Sequence, residues 1–151
     1  MTAKPDPAQE ARIRADFDKQ GMMRTLGASL SRIAPGEVEI VMPFSPGFAQ
    51  HHGFAHAGAL TAIVDNACGF AALTLMPQGM QVLTVEFKAN FLKPGIGEKF
   101  IAIGRVKRAG RQISVVEGEV IAQDSSGVRT TIALMLATMM GVRLEERSVR
   151  G

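Results

Sequence analysis

The chain has 151 residues, of which 46% are hydrophobic and 21% are charged, as expected for one soluble globular domain. Its net charge of +3 is small and it contains no Trp or Tyr for base stacking, so nucleic-acid binding is disfavoured. The single cysteine, Cys68, excludes an internal disulfide, and polar residues interrupt the longest apolar runs, so we expect a cytoplasmic protein without a membrane span.

Residues 5–20 are predicted to form a short amphipathic helix, because apolar residues recur among many charges. Two extended segments follow, at 28–33 and 37–44, and the second alternates regularly between apolar and polar side chains. Pro35 and Gly36 lie between them and are typical of a tight turn, so we predict a hairpin.

A long apolar helix is predicted from Ala57 to Met76, where Pro77 and Gly79 would end it. Its broad apolar face consists of Leu60, Ile63, Val64, Ala67, Cys68, Ala71 and Leu75. A second stripe carries small residues and one carboxylate: Gly58, Thr61, Ala62, Asp65, Gly69 and Ala72. Small side chains allow close approach, so we expect this stripe to face a partner. Because burying an unpaired carboxylate costs several kcal/mol, catalysis is a leading explanation for Asp65.

Four long segments with a period of two follow the helix, at 81–92, 98–108, 111–123 and 128–140. Tight turns between them predict an antiparallel meander, with the last and most apolar strand in a central position. The predicted architecture is α+β: one long helix wrapped by a curved antiparallel sheet of about six strands. We accordingly divide the chain into a helical extension (1–25), a main domain (26–141) and a charged tail (142–151).

Several motifs resemble those of a known family. His56-Ala57-Gly58 is similar to a His-Gly-Gly turn, and Val64-Asp65-Asn66 follows it at the family's spacing. Thr84-Val85-Glu86-Phe87 and the segment from Phe91 to Gly95 are similar to the family's next strand. Over residues 26–141 the chain therefore resembles the hotdog-fold thioesterases of the phenylacetate-degradation (PaaI-like) type.

The resemblance implies an acyl-coenzyme A thioesterase whose site lies between two subunits. It implies that Asp65 is the general base or nucleophile that attacks the thioester carbonyl. The N–H of Ala57, at the start of the helix, would polarise the carbonyl oxygen. Gln50 would orient water or substrate, and Thr84 would help to hold the attacking water. No metal or redox cofactor is expected.

Five further residues are predicted to contribute to substrate binding. His56 is expected to make a structural hydrogen bond that shapes the turn leading into Gly58. Coenzyme A carries a 3′-phosphate and a pyrophosphate, which bind cationic side chains. Among the basic residues of the middle strands, Lys93, Arg108 and Arg111 stand at predicted turns and are the favoured contacts.

Helix geometry adds a constraint that does not depend on the family. Eight residues separate Ala57 from Asp65, which is about 12 Å along a helix. These two groups therefore cannot flank one carbonyl within a single chain, so Asp65 of one subunit must meet the turn of another. We expect a homodimer, or a homotetramer built from two dimers, with acyl-coenzyme A bound at the dimer interface.

Two other sites fit the sequence less well. A Cys68 nucleophile with His56 as its base would be separated by about 18 Å of helix, so Cys68 is interpreted as a small buried side chain. His51, His52 and His56 with Asp65 match no common zinc-ligand spacing, which disfavours a metal site.

The predicted reaction is hydrolysis of an aryl or medium-chain acyl-coenzyme A to coenzyme A and a carboxylic acid. A non-catalytic acyl-coenzyme A binder is the alternative. A hotdog hydratase ranks lower, because His56 and Asp65 are nine helical residues apart. A DNA-binding regulator ranks lower still, because the N-terminal region is too short for a helix pair.

Overall fold

The computed structural model of this chain describes residues 4–143. In chain order the elements are α1 (Pro7–Asp18), α2 (Gly21–Thr25), β1 (Ser29–Ala34), β2 (Glu37–Pro43), a 3-10 turn (Pro46–Phe48), α3 (Ala57–Leu73), β3 (Gln81–Phe91), β4 (Lys99–Ala109), β5 (Ile113–Gln123) and β6 (Arg129–Val142). None of these helices is long and apolar enough to cross a lipid bilayer.

The strands form one antiparallel sheet in the order β1-β2-β4-β5-β6-β3. Helix α3 packs across it and contacts β2, β3, β4, β5 and β6. A single sheet with one apolar face needs a covering layer, and α3 supplies that layer here. The predicted α+β architecture, a long helix wrapped by a six-stranded sheet, is confirmed.

The prediction of a four-strand meander is wrong for β3. Strands β4, β5 and β6 do follow one another in the sheet, but β3 pairs with β6 at the far edge. The segment after β3 is not a hairpin turn, because Gly95 pairs with Ala55 in the loop before α3. The chain therefore crosses the end of α3 between β3 and β4. The long strand β6 pairs with β5 on one side and with β3 on the other.

Close contact with two strands fixes the rotation of α3. A Cβ at Gly104 of β4 would lie 2.5 Å from the carbonyl oxygen of Ala67. A Cβ at Gly118 of β5 would lie 2.6 Å from Val64 Cγ2. Only glycine permits this separation between helix and sheet. The apolar face of α3 is thus held against β4 and β5, and the stripe that carries Asp65 is turned towards β3.

The C-terminal end of α3 comes earlier than predicted. The helix ends at Leu73, where Thr74 caps it and accepts a hydrogen bond from the Gly36 N–H at 2.7 Å. Leu75 therefore lies beyond the helix and is 44% exposed, so its assignment to the apolar face is wrong. The other six residues of that face are buried.

The N-terminal residues contain two helices. Ile13 and Phe17 of α1 are buried, which confirms the amphipathic helix predicted at 5–20. Sequence periodicity missed α2, because its five residues are too few to show a period. The boundary at residue 25 remains a prediction, and most of the predicted charged tail, 144–151, lies outside the described residues.

Candidate active site

Asp65 lies in a small cleft between α3 and β3. Thr84, on the inward-facing side of β3, donates a hydrogen bond from Oγ1 to Asp65 Oδ1 at 2.8 Å. The cleft has a volume of about 170 Å³ and is lined by Gln20, Asp65, Asn66, Gly69, Phe70, Val82 and Thr84. Its volume corresponds to roughly six liquid waters, so it can hold a water and a small organic group.

The surroundings of Asp65 change its acidity. Burial raises the pKa of Asp65, and the hydrogen bond from Thr84 opposes that shift by favouring the carboxylate. A carboxyl with a raised pKa is a stronger base than an ordinary aspartate once it is ionised. Thr84 and the cleft together give Asp65 the environment of a candidate general base.

Cys68 does not share this reactivity. Its side chain is fully buried in the core. Burial, and secondarily the charge of Asp65, raise the pKa of Cys68 to about 12. The thiol therefore stays neutral at physiological pH, which supports its interpretation as a small core residue.

The start of α3 forms a second candidate group. His56 caps the helix: its Nδ1 accepts a hydrogen bond from the Gly58 N–H at 2.8 Å. Its carbonyl oxygen accepts from the N–H groups of Ala59 and Leu60. Within residues 4–143 the Ala57 N–H makes no hydrogen bond. This amide is therefore open at the positive end of the helix dipole.

The local geometry explains the residue types in this turn. A Cβ at Gly58 would lie 2.9 Å from His56 Nδ1, so glycine is needed to keep the cap. Ala57 is helical, and no residue other than glycine has a positive φ between residues 4 and 143. A left-handed conformation is thus not required at position 57, and alanine fits there without strain.

A larger cleft of about 420 Å³ opens beside the Ala57 amide. It is lined by Gln50, Phe54, Ala55, His56, Ala57, Leu60, Phe91, Lys93, Pro94 and Gly95. Gln50 begins a tight loop: its N–H donates to the Phe54 carbonyl at 2.8 Å, and its Oε1 accepts from the His52 N–H. This arrangement leaves the Nε2 amino group of Gln50 available as a donor.

Six of the nine predicted site residues thus fall into two groups within one chain. Asp65 and Thr84 line the small cleft, which we call the Asp65 half-site. Gln50, His56, Ala57 and Lys93 line the large cleft, which we call the Ala57 half-site. The two clefts share no lining residue. A single chain therefore does not bring the carboxylate and the open amide together.

Two predicted substrate-binding residues lie elsewhere. Arg108 and Arg111 are at the turn between β4 and β5 and line neither half-site. That turn lies near the C-terminal end of α3, because Val106 donates to the Gly36 carbonyl and Gly36 donates to Thr74. The helix itself is about 25 Å long, so within one chain these arginines lie far from Ala57, at the opposite end of α3.

The histidines also show no metal arrangement. The rings of His51 and His52 contact one another in the exposed loop, with centroids 4.1 Å apart and planes tilted by 43°, and His56 is engaged as a helix cap. Among residues 4–143 no three His, Cys, Asp or Glu side chains converge on a common point that could hold a metal ion.

Sequence reasoning missed three residues of the Asp65 half-site: Gln20, Asn66 and Val82. Asn66 directly follows Asp65 in the motif Val64-Asp65-Asn66 and could have been found from that adjacency. Val82 could have been found from its alternation with Thr84. Gln20 had no usable sequence signal, because it comes from the N-terminal extension, 45 positions before Asp65.

Comparison with known proteins identifies the family and the fold of this chain. Residues 52–128 match the family described as the thioesterase superfamily. A proposed esterase of Saccharolobus solfataricus is 31% identical over 98 residues, which cover 65% of this chain and 69% of that protein. A thioesterase family protein from Silicibacter pomeroyi is 40% identical, with a TM-score of 0.87 over 90% of this chain and 99% of that one. The PaaI protein of the Escherichia coli phenylacetic acid degradation operon has a TM-score of 0.78 at 20% identity, covering 89% and 93% of the chains, and shows the shared fold.

Proposed function

We propose that the substrate of this protein is an aryl or medium-chain acyl-coenzyme A. The premise is that the chain belongs to the thioesterase superfamily and is a hotdog-fold hydrolase of thioesters. The family and the fold predicted from the sequence motifs are confirmed. The residue roles, the acyl group, the subunit arrangement and the cytoplasmic location are parts of this proposal.

The hydrogen-bonded pair of Asp65 and Thr84 in a partly desolvated cleft carries the proposal. Asp65 acts on the thioester carbonyl carbon, either by taking a proton from an attacking water or by attacking it directly. The carbonyl π bond opens to an oxyanion, which then collapses and breaks the carbon–sulfur bond. Coenzyme A leaves as the thiolate and takes up a proton. On the water route the attacking water supplies the hydroxyl of the acid product. On the direct route the acyl group is first left on Asp65 as a mixed anhydride, which water then hydrolyses to the acid and the free Asp65 carboxylate.

The open Ala57 amide is the proposed oxyanion donor. A backbone N–H at a helix N-terminus is fixed in place before the reaction and carries a partial positive charge. Gln50 lies in the same cleft and offers its Nε2 amino group to the substrate or water. His56 and Gly58 hold the start of α3, and with it the Ala57 amide, in position through the helix cap. Their role is therefore structural rather than a direct polar contact with the substrate.

Lys93 is the proposed cation for the phosphates of coenzyme A. It lines the mouth of the Ala57 half-site together with Pro94 and Gly95. The two arginines at the β4–β5 turn, Arg108 and Arg111, are predicted to contribute less, because they line neither cleft.

A dimer formed through β3 would complete the site. Within residues 4–143, β3 pairs only with β6 and leaves its other edge open. Its side chains are unusually exposed for apolar residues: Leu83 48%, Val85 54%, Phe87 42% and Phe91 46%. An open edge with a large apolar surface favours association with a second strand. We therefore propose a two-fold dimer in which the β3 strands pair in antiparallel fashion.

This pairing would bring the two kinds of half-site together. Thr84 lies near the start of β3, and Phe91, which lines the Ala57 half-site, is its last residue. A two-fold axis near the middle of the strand reverses the direction of the partner strand. Asp65 and Thr84 then lie towards the partner's Phe91, and the dimer contains two complete sites.

Subunit mixing tests this arrangement. Asp65→Asn removes the base, and Ala57→Pro removes the oxyanion N–H, so each homodimer should be inactive. A hybrid dimer has one doubly altered site and one intact site. After random exchange half of the dimers are hybrids, so an equimolar mixture should recover about one quarter of the wild-type activity. Benzoyl-coenzyme A and hexanoyl-coenzyme A serve as probes, with hydrolysis followed by loss of thioester absorbance.

The control is each variant exchanged with a tagged copy of itself, which shows that subunits exchange and that neither variant regains activity alone. No recovery in a mixture with demonstrated hybrids would contradict the shared site. Tight acyl-coenzyme A binding by the wild type with no turnover on any ester would support the non-catalytic binder instead.

A further inference from the structure

Gln20 reaches the Asp65 half-site from outside the main domain. It lies between α1 and α2, at the N-cap position of α2, with extended backbone angles. Its side chain makes no capping hydrogen bond there. It instead points to α3, where it lines the same cleft as Asp65 and Thr84.

The Gln20 side chain pairs with its counterpart on Asn66. Gln20 Nε2 donates to Asn66 Oδ1 at 3.5 Å, and Asn66 Nδ2 donates to Gln20 Oε1. A primary amide has two N–H groups and two carbonyl lone pairs, so this reciprocal pair uses only part of each. One further N–H on each side chain is left for water or an acyl group in the cleft.

Contacts between the N-terminal extension and α3 hold Gln20 in this position. Ile13 and Phe17 of α1 are buried, and the Phe17 ring lies 6.2 Å from the ring of Phe70 on α3. Gln9 donates from Nε2 to the Leu73 carbonyl at 2.6 Å and to the Met76 carbonyl at 3.3 Å. The extension is thus fixed at the end of α3 as well as beside Asp65.

We propose that Gln20 is a positioning residue of the Asp65 half-site, which fixes the Asn66 amide and closes the cleft beside the carboxylate. The inference rests on the proposed function of Asp65. It makes the N-terminal extension a part of the active site, whereas sequence reasoning treated it as an addition to the domain. The competing explanation is that the amide pair only fastens the extension to the main domain.

The pH dependence separates these explanations. The side chains that face Asp65 are Thr84 and Val82 of β3, Gln20 of the extension, and Asn66, Gly69 and Phe70 of α3, with Cys68 the next titratable group on the helix. Of these residues of the same chain only Cys68 titrates, and its thiol stays neutral. The Ala57 half-site that would complete the site in the dimer adds His56 and Lys93, which the position-20 variants leave unchanged. A change in the acid limb of the rate profile therefore reports the environment of Asp65.

Three substitutions at position 20 change different properties. Gln20→Ala opens the cleft to water, so the acid limb of kcat/KM should move to lower pH. Gln20→Glu places a second carboxylate in the cleft, so the limb should move to higher pH. Gln20→Met keeps the volume without the hydrogen bonds and should lower kcat by about fivefold, as expected for loss of one net hydrogen bond.

Gln9→Ala is the matched control, because Gln9 is also an extension amide bonded to α3 but lines a different surface. It should lower the melting temperature and leave the acid limb and kcat unchanged, because the buried Phe17 still packs against Phe70 and holds Gln20 beside Asp65. If the position-20 variants behave like Gln9→Ala, with lower stability and an unmoved acid limb, the proposal is overturned.

Asp65→Asn, measured in parallel, separates a failure of the proposed function of Asp65 from a failure of the inference about Gln20. Full activity of Asp65→Asn would remove the proposed function of Asp65 and the inference with it. Loss of activity in Asp65→Asn, together with an unmoved acid limb in the Gln20 variants, would remove the inference alone.

Discussion

The two half-sites are built in different ways from the same helix. The Ala57 half-site offers a backbone N–H, and its key geometry comes from the short segment between Gln50 and Gly58. The Asp65 half-site offers a side chain, and its walls come from the extension, α3 and β3. A backbone donor at a helix start is fixed by local structure, whereas a tuned carboxylate needs tertiary neighbours.

The half-sites also differ in electrostatics. The start of α3 carries the positive end of the helix dipole, so negative charge is favoured there. Asp65 lies in a desolvated position where its charge is disfavoured and only Thr84 donates to its side chain among residues 4–143. The chain thus keeps the proposed base, Asp65, apart from its own proposed oxyanion donor, the Ala57 N–H. The following predictions test this division of roles, from the largest expected effect to the smallest.

Asp65→Asn should remove activity and raise stability. General acid–base catalysis contributes roughly 10²–10⁴-fold, so kcat should fall by that factor. Because the pKa of Asp65 is raised in the folded state, folding favours its protonated form. That contribution is present below the unfolded pKa and is lost as pH rises through the folded value. At neutral pH the neutral amide should therefore give a higher melting temperature, measured by thermal unfolding at pH 4 and pH 7.

The stability gain of Asp65→Asn should be larger at pH 7 than at pH 4. An equal stability gain at pH 4 and pH 7 would show that burial does not destabilise the ionised carboxylate. Retained kcat would show that Asp65 is not the base.

Ala57→Pro should test the opposite half-site without damage to the helix. Position 57 is the first residue of α3, where proline is tolerated, and His56 already has extended angles of −64° and 137°. Loss of one oxyanion donor should lower kcat by roughly 10²–10³-fold. Ala57→Gly keeps the N–H and should retain activity within a fewfold. Equal rates for both variants would exclude this amide from the reaction.

Thr84→Val should move the acid limb of kcat/KM upward. The Thr84 hydroxyl lowers the pKa of Asp65, so its removal leaves burial unopposed and raises that pKa further. We expect about a tenfold lower rate below neutral pH and a smaller loss above it. Thr84→Ser keeps the donor and should restore the wild-type profile. A profile that does not shift would limit Thr84 to a packing role.

Lys93→Ala should have the smallest effect of this series. Lys93 lines the Ala57 half-site and is the proposed cation for the coenzyme A phosphates, so its loss should raise KM a fewfold with kcat unchanged. The effect should weaken at high salt. Arg108→Ala and Arg111→Ala serve as comparisons and should change KM less. A larger change at either arginine would place coenzyme A near the β4–β5 turn.

The sequence predicted the secondary structure well wherever the signal was local. The strands and α3 were found within a few residues of their observed bounds, because alternation, helical spacing and Pro-Gly turns act over short distances. The predicted position of β3 in the sheet was wrong because it depends on long-range pairing rather than on local signals. Its pairing with β6 joins residues more than forty positions apart, and tight turns alone suggested the neighbouring strand.

The same distinction applies to the site. The family resemblance named Asp65, Ala57, Gln50 and Thr84, whereas the hydrogen bond from Thr84 to Asp65 was not predicted and is seen only in the structure. Gln20 could not be named, because no local pattern links the extension to α3. Arg108 and Arg111 were selected because they stand at turns, but turns at opposite ends of a sheet do not share a cleft.

By itself, the sequence determined the elements, the α+β architecture, the family resemblance and the separation of about 12 Å between Ala57 and Asp65 along their helix. Tertiary structure alone decided that, within residues 4–143, β3 lies at an open edge, that Gln20 lines the Asp65 cleft and that the two half-sites are separate. Helix period, caps and turns depend on neighbouring residues. The edge strand, the cleft walls and the pKa of Asp65 depend on which distant surfaces are buried together.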